Sequence, residues 1–69
     1  MQRYEYRKLR GRIVEKYGSQ KAFSEAIGIA PNSLSMKLTG KIQLSQRDMD
    51  FWAKLLDIAF EEYHEYFFA

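Results

Sequence analysis

Positively charged side chains offer the most chemistry in this sequence, and they are placed unevenly. Residues 1–44 hold nine Lys and Arg (Arg3, Arg7, Lys8, Arg10, Arg12, Lys16, Lys21, Lys37 and Lys41) against three acids, Glu5, Glu15 and Glu25. Residues 45–69 hold Arg47 and Lys54 against Asp48, Asp50, Asp57, Glu61, Glu62 and Glu65. The net charge of +2 therefore hides a basic front and an acidic tail. A basic front suits a polyanion such as nucleic acid. The plainer reading is a set of solvated helix faces with ordinary charge scatter. Groups for covalent or metal chemistry are scarce. Cys is absent, and His64 is the one His. It lies in an acidic, aromatic stretch with no nucleophile or second ligand spaced to meet it. No Gly-rich phosphate loop occurs, and the tail carboxylates follow helix-surface spacing. The expectation is a binding protein and not an enzyme, with no cofactor, no metal and no small-molecule ligand.

A chain of 69 residues makes a single domain, read here as residues 1–69 with 60–69 as a dimerisation or core-capping tail. A domain this small buries only about 60% of the surface its unfolded chain exposes. Without Cys, neither disulfides nor a Cys–His zinc site can reinforce it. Hydrophobic residues at 46% and charged residues at 29% describe a folded chain. No apolar run approaches the ~20 residues of a membrane span. The polar, basic N-terminus does not read as a secretory signal. These features point to a cytoplasmic protein.

The elements that position the charges read as helices throughout. Tyr6, Leu9, Ile13 and Tyr17 recur at helical spacing, which predicts a first helix over Tyr4–Tyr17 ended by Gly18. Gly11 interrupts it at a cost of about 1 kcal/mol relative to Ala, with no reason visible in the sequence. Ser19 is an N-cap for a second helix, Gln20–Ile27, stopped by Gly28. Pro31 suits the first turn of a third helix, closed by Gly40. Ser45 and Asp48 resemble a capping box at the start of a fourth. In that helix Met49, Trp52, Ala53 and Leu56 form an inner stripe, and Phe51 and Leu55 form a second stripe beside it. A short fifth helix is expected within Phe60–Glu65. The fold class is thus all-α, a compact five-helix domain.

The tight sequence of helix, Gly28, three-residue turn and helix carries the functional signal, because helices joined so closely cross steeply. Ile27, Ile29 and Leu34 would plug the corner, and Ser24 falls where a small residue is needed. Residues Ser19-Gln20-Lys21-Ala22-Phe23-Ser24-Glu25-Ala26-Ile27-Gly28-Ile29-Ala30-Pro31-Asn32-Ser33-Leu34-Ser35, followed by Leu38-Thr39-Gly40-Lys41, resemble the helix-turn-helix of small phage Cro and repressor proteins. The five-helix plan and the Tyr66-Phe67-Phe68 ending extend the resemblance over nearly the whole chain. Ser24 stands where the family usually has Ala. Lys37 stands where many members carry an apolar residue, so that Leu38 supplies the core contact and Lys37 reaches outward.

The resemblance implies a lambda-repressor-like helix-turn-helix domain with its third helix in the major groove of double-stranded DNA. Pro31, Asn32, Ser33, Met36 and Lys37 would then face the bases. Asn32 can pair with adenine through two hydrogen bonds, and Met36 and Pro31 can meet a thymine methyl. The alternatives are a half-buried, gap-filling Met36 and a merely solvated Asn32. Gln20, Thr39, Lys41, Gln46 and Arg47 would hold phosphates. The implied function is a sequence-specific transcriptional repressor on a near-palindromic operator in the cytoplasm of a bacterial host.

Members of that family usually pair, and this chain has apolar material for a homodimer. Phe51, Leu55, Phe60, Tyr63, Tyr66, Phe67 and Phe68 are many large residues for the surface of so small a monomer, and such a patch marks an interface. The dimer seam is therefore expected at Phe51, Leu55, Tyr63, Tyr66, Phe67 and Phe68. The alternative is a tail that folds back over its own core. A rival function is a helical adaptor, such as an antirepressor, whose aromatic half binds another protein. RNA binding is a weaker third reading, because the aromatics gather on the acidic half.

Overall fold

Tyr6 sets the start of the first helix. The computed structural model describes residues 5–68. Tyr6 adopts a left-handed conformation, φ 55° and ψ 34°, and its side chain is buried. Helix α1 therefore begins at Arg7 and runs Arg7–Tyr17. The expected start at Tyr4 lies outside the described residues, as does the final position of the chain.

The rest of the order is α2 Gln20–Ile27, α3 Pro31–Leu38, α4 Gln46–Leu56, a 3-10 turn Phe60–Glu62 and α5 Tyr63–Phe67. The molecule is all-α, as its sequence predicts, with five α-helices among the described residues. Local signals fix most of the boundaries. The Ser19 hydroxyl accepts from the Ala22 N–H at 3.1 Å and so caps α2. Gly28 ends that helix at φ 81°, and its N–H donates to the carbonyls of Glu25 and Ser24. The capping box of α4 is reciprocal. Ser45 Oγ accepts from the Asp48 N–H at 3.1 Å, and the Asp48 carboxylate accepts from the Ser45 N–H at 3.3 Å.

One boundary has no glycine to mark it, and one differs from the sequence expectation. Helix α4 stops at Asp57, a non-glycine residue at φ 55°, one of the residue types that tolerates the left-handed region. The expected single helix over Phe60–Glu65 is instead a 3-10 turn that leads directly into α5. The tighter first turn follows from the Glu62 N–H, which donates to the Ala59 carbonyl at 2.8 Å.

Leu9 and Ile13 of α1, Phe23 of α2, Leu34 and Leu38 of α3, Trp52 and Leu56 of α4, and Phe67 of α5 are all fully buried or nearly so. Phe23 meets Tyr17 edge-on at 5.1 Å and Trp52 edge-on at 5.3 Å between ring centroids. Ser24 is fully buried too, and its hydroxyl donates to the Lys21 carbonyl at 2.6 Å. That bond satisfies the one polar or charged residue that is fully buried among the described residues.

Gly11 has open space around it. A methyl group added there meets nothing within 4 Å. Gly11→Ala should therefore stabilise the domain by about 0.5–1 kcal/mol through helix propensity and a less flexible unfolded chain. A urea titration checks this, and an unchanged or lower midpoint at constant m-value would contradict it.

Candidate functional site

The unit that carries the sequence motif is α2, the turn at Gly28-Ile29-Ala30, and α3. Ile29 donates its N–H to the Ser24 carbonyl at 3.0 Å, which closes the turn back onto α2. Ile27 and Ile29 pack at the edge of the core, while Leu34 enters it. At the far end of α3, the N–H groups of Lys41 and Ile42 both donate to the Met36 carbonyl, at 2.9 and 3.1 Å. Gly40 makes this reversal possible at φ 85°.

The predicted base-facing residues separate into three kinds. Pro31 and Asn32 are exposed, and Ser35 between them and the helix end is exposed as well. Ser33 and Met36 are half-buried. Lys37 does not reach outward. Its ammonium donates to the Asp48 carboxylate at 2.7 Å, and both side chains are largely covered. The exposed edge of α3 is thus made of Pro31, Asn32 and Ser35, and carries no charge. Leu38 fills the core position next to Lys37, as expected.

The Lys37–Asp48 pair sits on the capping box and changes the carboxylate. Burial pushes the Asp48 carboxyl up, but the hydrogen bond from Lys37, the Ser45 N–H, the Lys37 charge and the Ser45 hydroxyl together outweigh it. The Asp48 pKa lies below its ordinary value. A depressed folded pKa gives stability that is complete above the unfolded pKa and is lost as pH falls through the folded one. The urea midpoint should therefore drop as pH falls below about 4. Asp48→Asn should cost about 1–2 kcal/mol at neutral pH and flatten part of that drop. Wild-type stability of the variant at neutral pH would remove the pair from the account of the fold.

Among the predicted phosphate-holding residues, Gln46 donates its amide to Asp50 at 3.1 Å, and Thr39 donates its hydroxyl to the Met36 carbonyl at 3.3 Å. Gln20 is half-buried. Lys41 and Arg47 are exposed, with no ion pair among the described residues, and Lys21 and Lys54 share that property. The other described cations are committed. Arg7 pairs with Glu5, Lys8 with Glu65, Arg12 with Glu15 and Lys16 with Asp57. Arg10 donates to the Leu38 carbonyl at 3.0 Å and so ties α1 to the end of α3. Much of the basic front therefore neutralises acids of its own chain.

The aromatic residues assigned to a dimer seam also separate. Tyr66 and Phe67 belong to the chain's own core and leave the partner-facing set. Tyr66 is held against α1. Arg12 donates to its hydroxyl at 3.0 Å, and the charged groups of Lys8 and Arg12 lie 5.2 and 5.4 Å from its ring centre. Leu55 and Tyr63 are half-buried, whereas Phe51 and Phe68 remain exposed. The tail folds back because α1 offers it both apolar cover and cations. Sequence reading missed Lys54, which has no ion pair among the described residues and stands one turn beyond Phe51. Its signal was the spacing of Arg47, Phe51 and Lys54 along one helical face.

The model of a family described as "Protein of unknown function (DUF739)" matches residues 2–69. The chain belongs to this family. A similar solved structure is the solution structure of the modulator of repression (MOR) of the temperate bacteriophage TP901-1 from Lactococcus lactis. It is 31% identical, with a TM-score of 0.85, and the match covers 94% of this chain and 88% of that one. This DUF739 chain is thus similar to a small phage protein over almost its whole length. No curated protein matches it.

Proposed function

We propose that this chain modulates repression in a temperate phage by binding a repressor protein and changing that protein's hold on operator DNA. It acts in the bacterial cytoplasm by contact alone, without a catalytic step. The similarity to a phage modulator of repression supports the setting. The observation that carries the choice of partner is the uncharged edge of α3, with Lys37 engaged by Asp48 at 2.7 Å. A base-reading helix relies most often on Arg or Lys paired to guanine. Here the one cation of α3 is turned away, and Pro31, Asn32 and Ser35 are left.

The magnitude of the charge effect points the same way. If Lys21, Lys41 and Arg47 each neutralised one phosphate, a single copy would show a salt slope of only about −2.7, and it would take two copies on one site to reach six contacts. A protein partner places no such demand on the chain.

The test is a repressor–operator complex followed by anisotropy while this chain is titrated in. Release or tightening of the operator at stoichiometric chain is the expected result. An unchanged repressor–operator affinity would overturn the reading.

Direct DNA binding is the second reading, and Lys21, Lys41 and Arg47 favour it, because these exposed cations without ion pairs flank α3. A homodimer through Phe51, Leu55, Tyr63 and Phe68 would then align two copies on a near-palindromic site. Under this reading, Asn32→Ala relaxes preference at one base position at a cost of about 1–3 kcal/mol, and Lys41→Ala weakens all duplexes alike and lowers the salt slope by about one. A selection from random duplexes distinguishes the readings: enriched symmetric half-sites with a steep salt slope would establish this second one.

A further inference from the structure

The outer face of α4 combines features that the proposed role leaves unassigned. Arg47, Asp50, Phe51 and Lys54 line an open surface groove of about 450 Å³. Phe51 keeps 46% of its surface exposed. Arg47 and Lys54 stand on either side of it along the helix, both exposed and neither in an ion pair among the described residues. Asp50 does not pair with either of them. One of its oxygens accepts from Gln46 at 3.1 Å and from the Tyr63 hydroxyl at 2.8 Å. The Tyr63 ring in turn lies 5.1 Å from that of Phe60, which is 77% exposed. The Asp50–Tyr63 bond therefore ties α4 to the exposed Phe60 of the 3-10 turn.

We infer that this groove docks an acidic protein segment that carries one apolar anchor between two carboxylates. The inference rests on the protein-binding reading above and names the chemistry of the contact. Charge complementarity selects the occupant. Arg47 and Lys54 are seven residues apart in one helix, a rise of roughly 10 Å. A partner helix with Glu residues at the same separation and Leu or Phe between them meets both cations and covers Phe51. Arg and aromatic side chains are the residue types that most often carry binding energy in protein interfaces. A nucleic-acid backbone fits less well, because it offers its phosphates to the cations and nothing apolar to Phe51.

The test uses the full chain labelled with nitrogen-15 and a short helical peptide carrying Glu, three residues, Leu, two residues, Glu. A twin peptide with Lys in place of both Glu serves as the control, and a short DNA duplex as the rival ligand. The acidic peptide should shift the amides of residues 47–54 and of Tyr63, and the basic twin should not. Phe51→Ser should weaken the response roughly tenfold, and Arg47→Glu should abolish it. Both positions are exposed, so thermal melts that match the wild type confirm that the variants fold. Absence of shifts, shifts centred away from α4, or a duplex that reproduces the peptide's pattern would each overturn the inference. The peptide measurement needs no repressor. A positive peptide result with no effect on a repressor–operator complex would leave the groove in place and remove the repressor as partner.

Discussion

Phe23→Ala should remove a large share of the domain's stability. Phe23 is fully buried and holds Tyr17 and Trp52 edge-on on either side, at 5.1 and 5.3 Å. Removal of a buried Phe typically costs 3–5 kcal/mol, through lost transfer energy and the cavity left behind. At roughly 0.05–0.15 kcal/mol per residue, a chain of this length has only about 3–10 kcal/mol to lose. The cavity would open at the meeting point of α1, α2 and α4, so no single helix can move to fill it without pulling on another. Urea unfolding followed by Trp52 fluorescence and by far-ultraviolet circular dichroism gives the result directly. A loss below about 1 kcal/mol would mean that Phe23 is not the centre of the core.

Phe67→Ala should be of similar size, about 3–5 kcal/mol, and independent of protein concentration. Phe67 is fully buried within a single copy of the chain and meets Tyr63 edge-on at 5.2 Å. Its neighbour Tyr66 is pinned to α1 by Arg12 and flanked by Lys8. The tail is therefore part of the fold. If Phe67 instead buried itself only against a second copy, the loss would vary with concentration by mass action. Melts of wild type and variant at several concentrations separate the two cases, and a concentration-dependent difference would return Phe67 to an interface.

The sequence was legible wherever one local event decides the outcome. Ser19 caps α2, the Ser45–Asp48 box opens α4, Pro31 starts α3, and Gly28 turns the chain sharply. Each depends on residues within about a turn of one another, so spacing alone reveals it. The inner stripe of α4 was legible for the same reason, since Met49, Trp52, Ala53 and Leu56 are all buried. Long-range choices were not. Periodicity marks Tyr66 and Phe67 as apolar, but it is silent on whether their cover comes from α1 or from a second molecule. Lys37 and Asp48 are eleven residues apart and on different helices, so neither the bond nor its effect on α3 has a local signature. The left-handed turns at Tyr6 and Asp57 were missed because no glycine announces them. For the site, the scaffold was readable and the disposition of its charges was not, because an unpaired cation and a paired one look alike in one dimension.

The Lys37–Asp48 bond also measures an evolutionary distance. A single exchange at position 48 that removes the carboxylate would free the ammonium of Lys37 and leave α3 with an unpaired cation, at the cost of one capping interaction. Under the proposed role, this chain thus stands one codon change from one whose α3 carries a free cation. A lineage built on this scaffold could pass between partner of a repressor and competitor for its operator without altering a core residue.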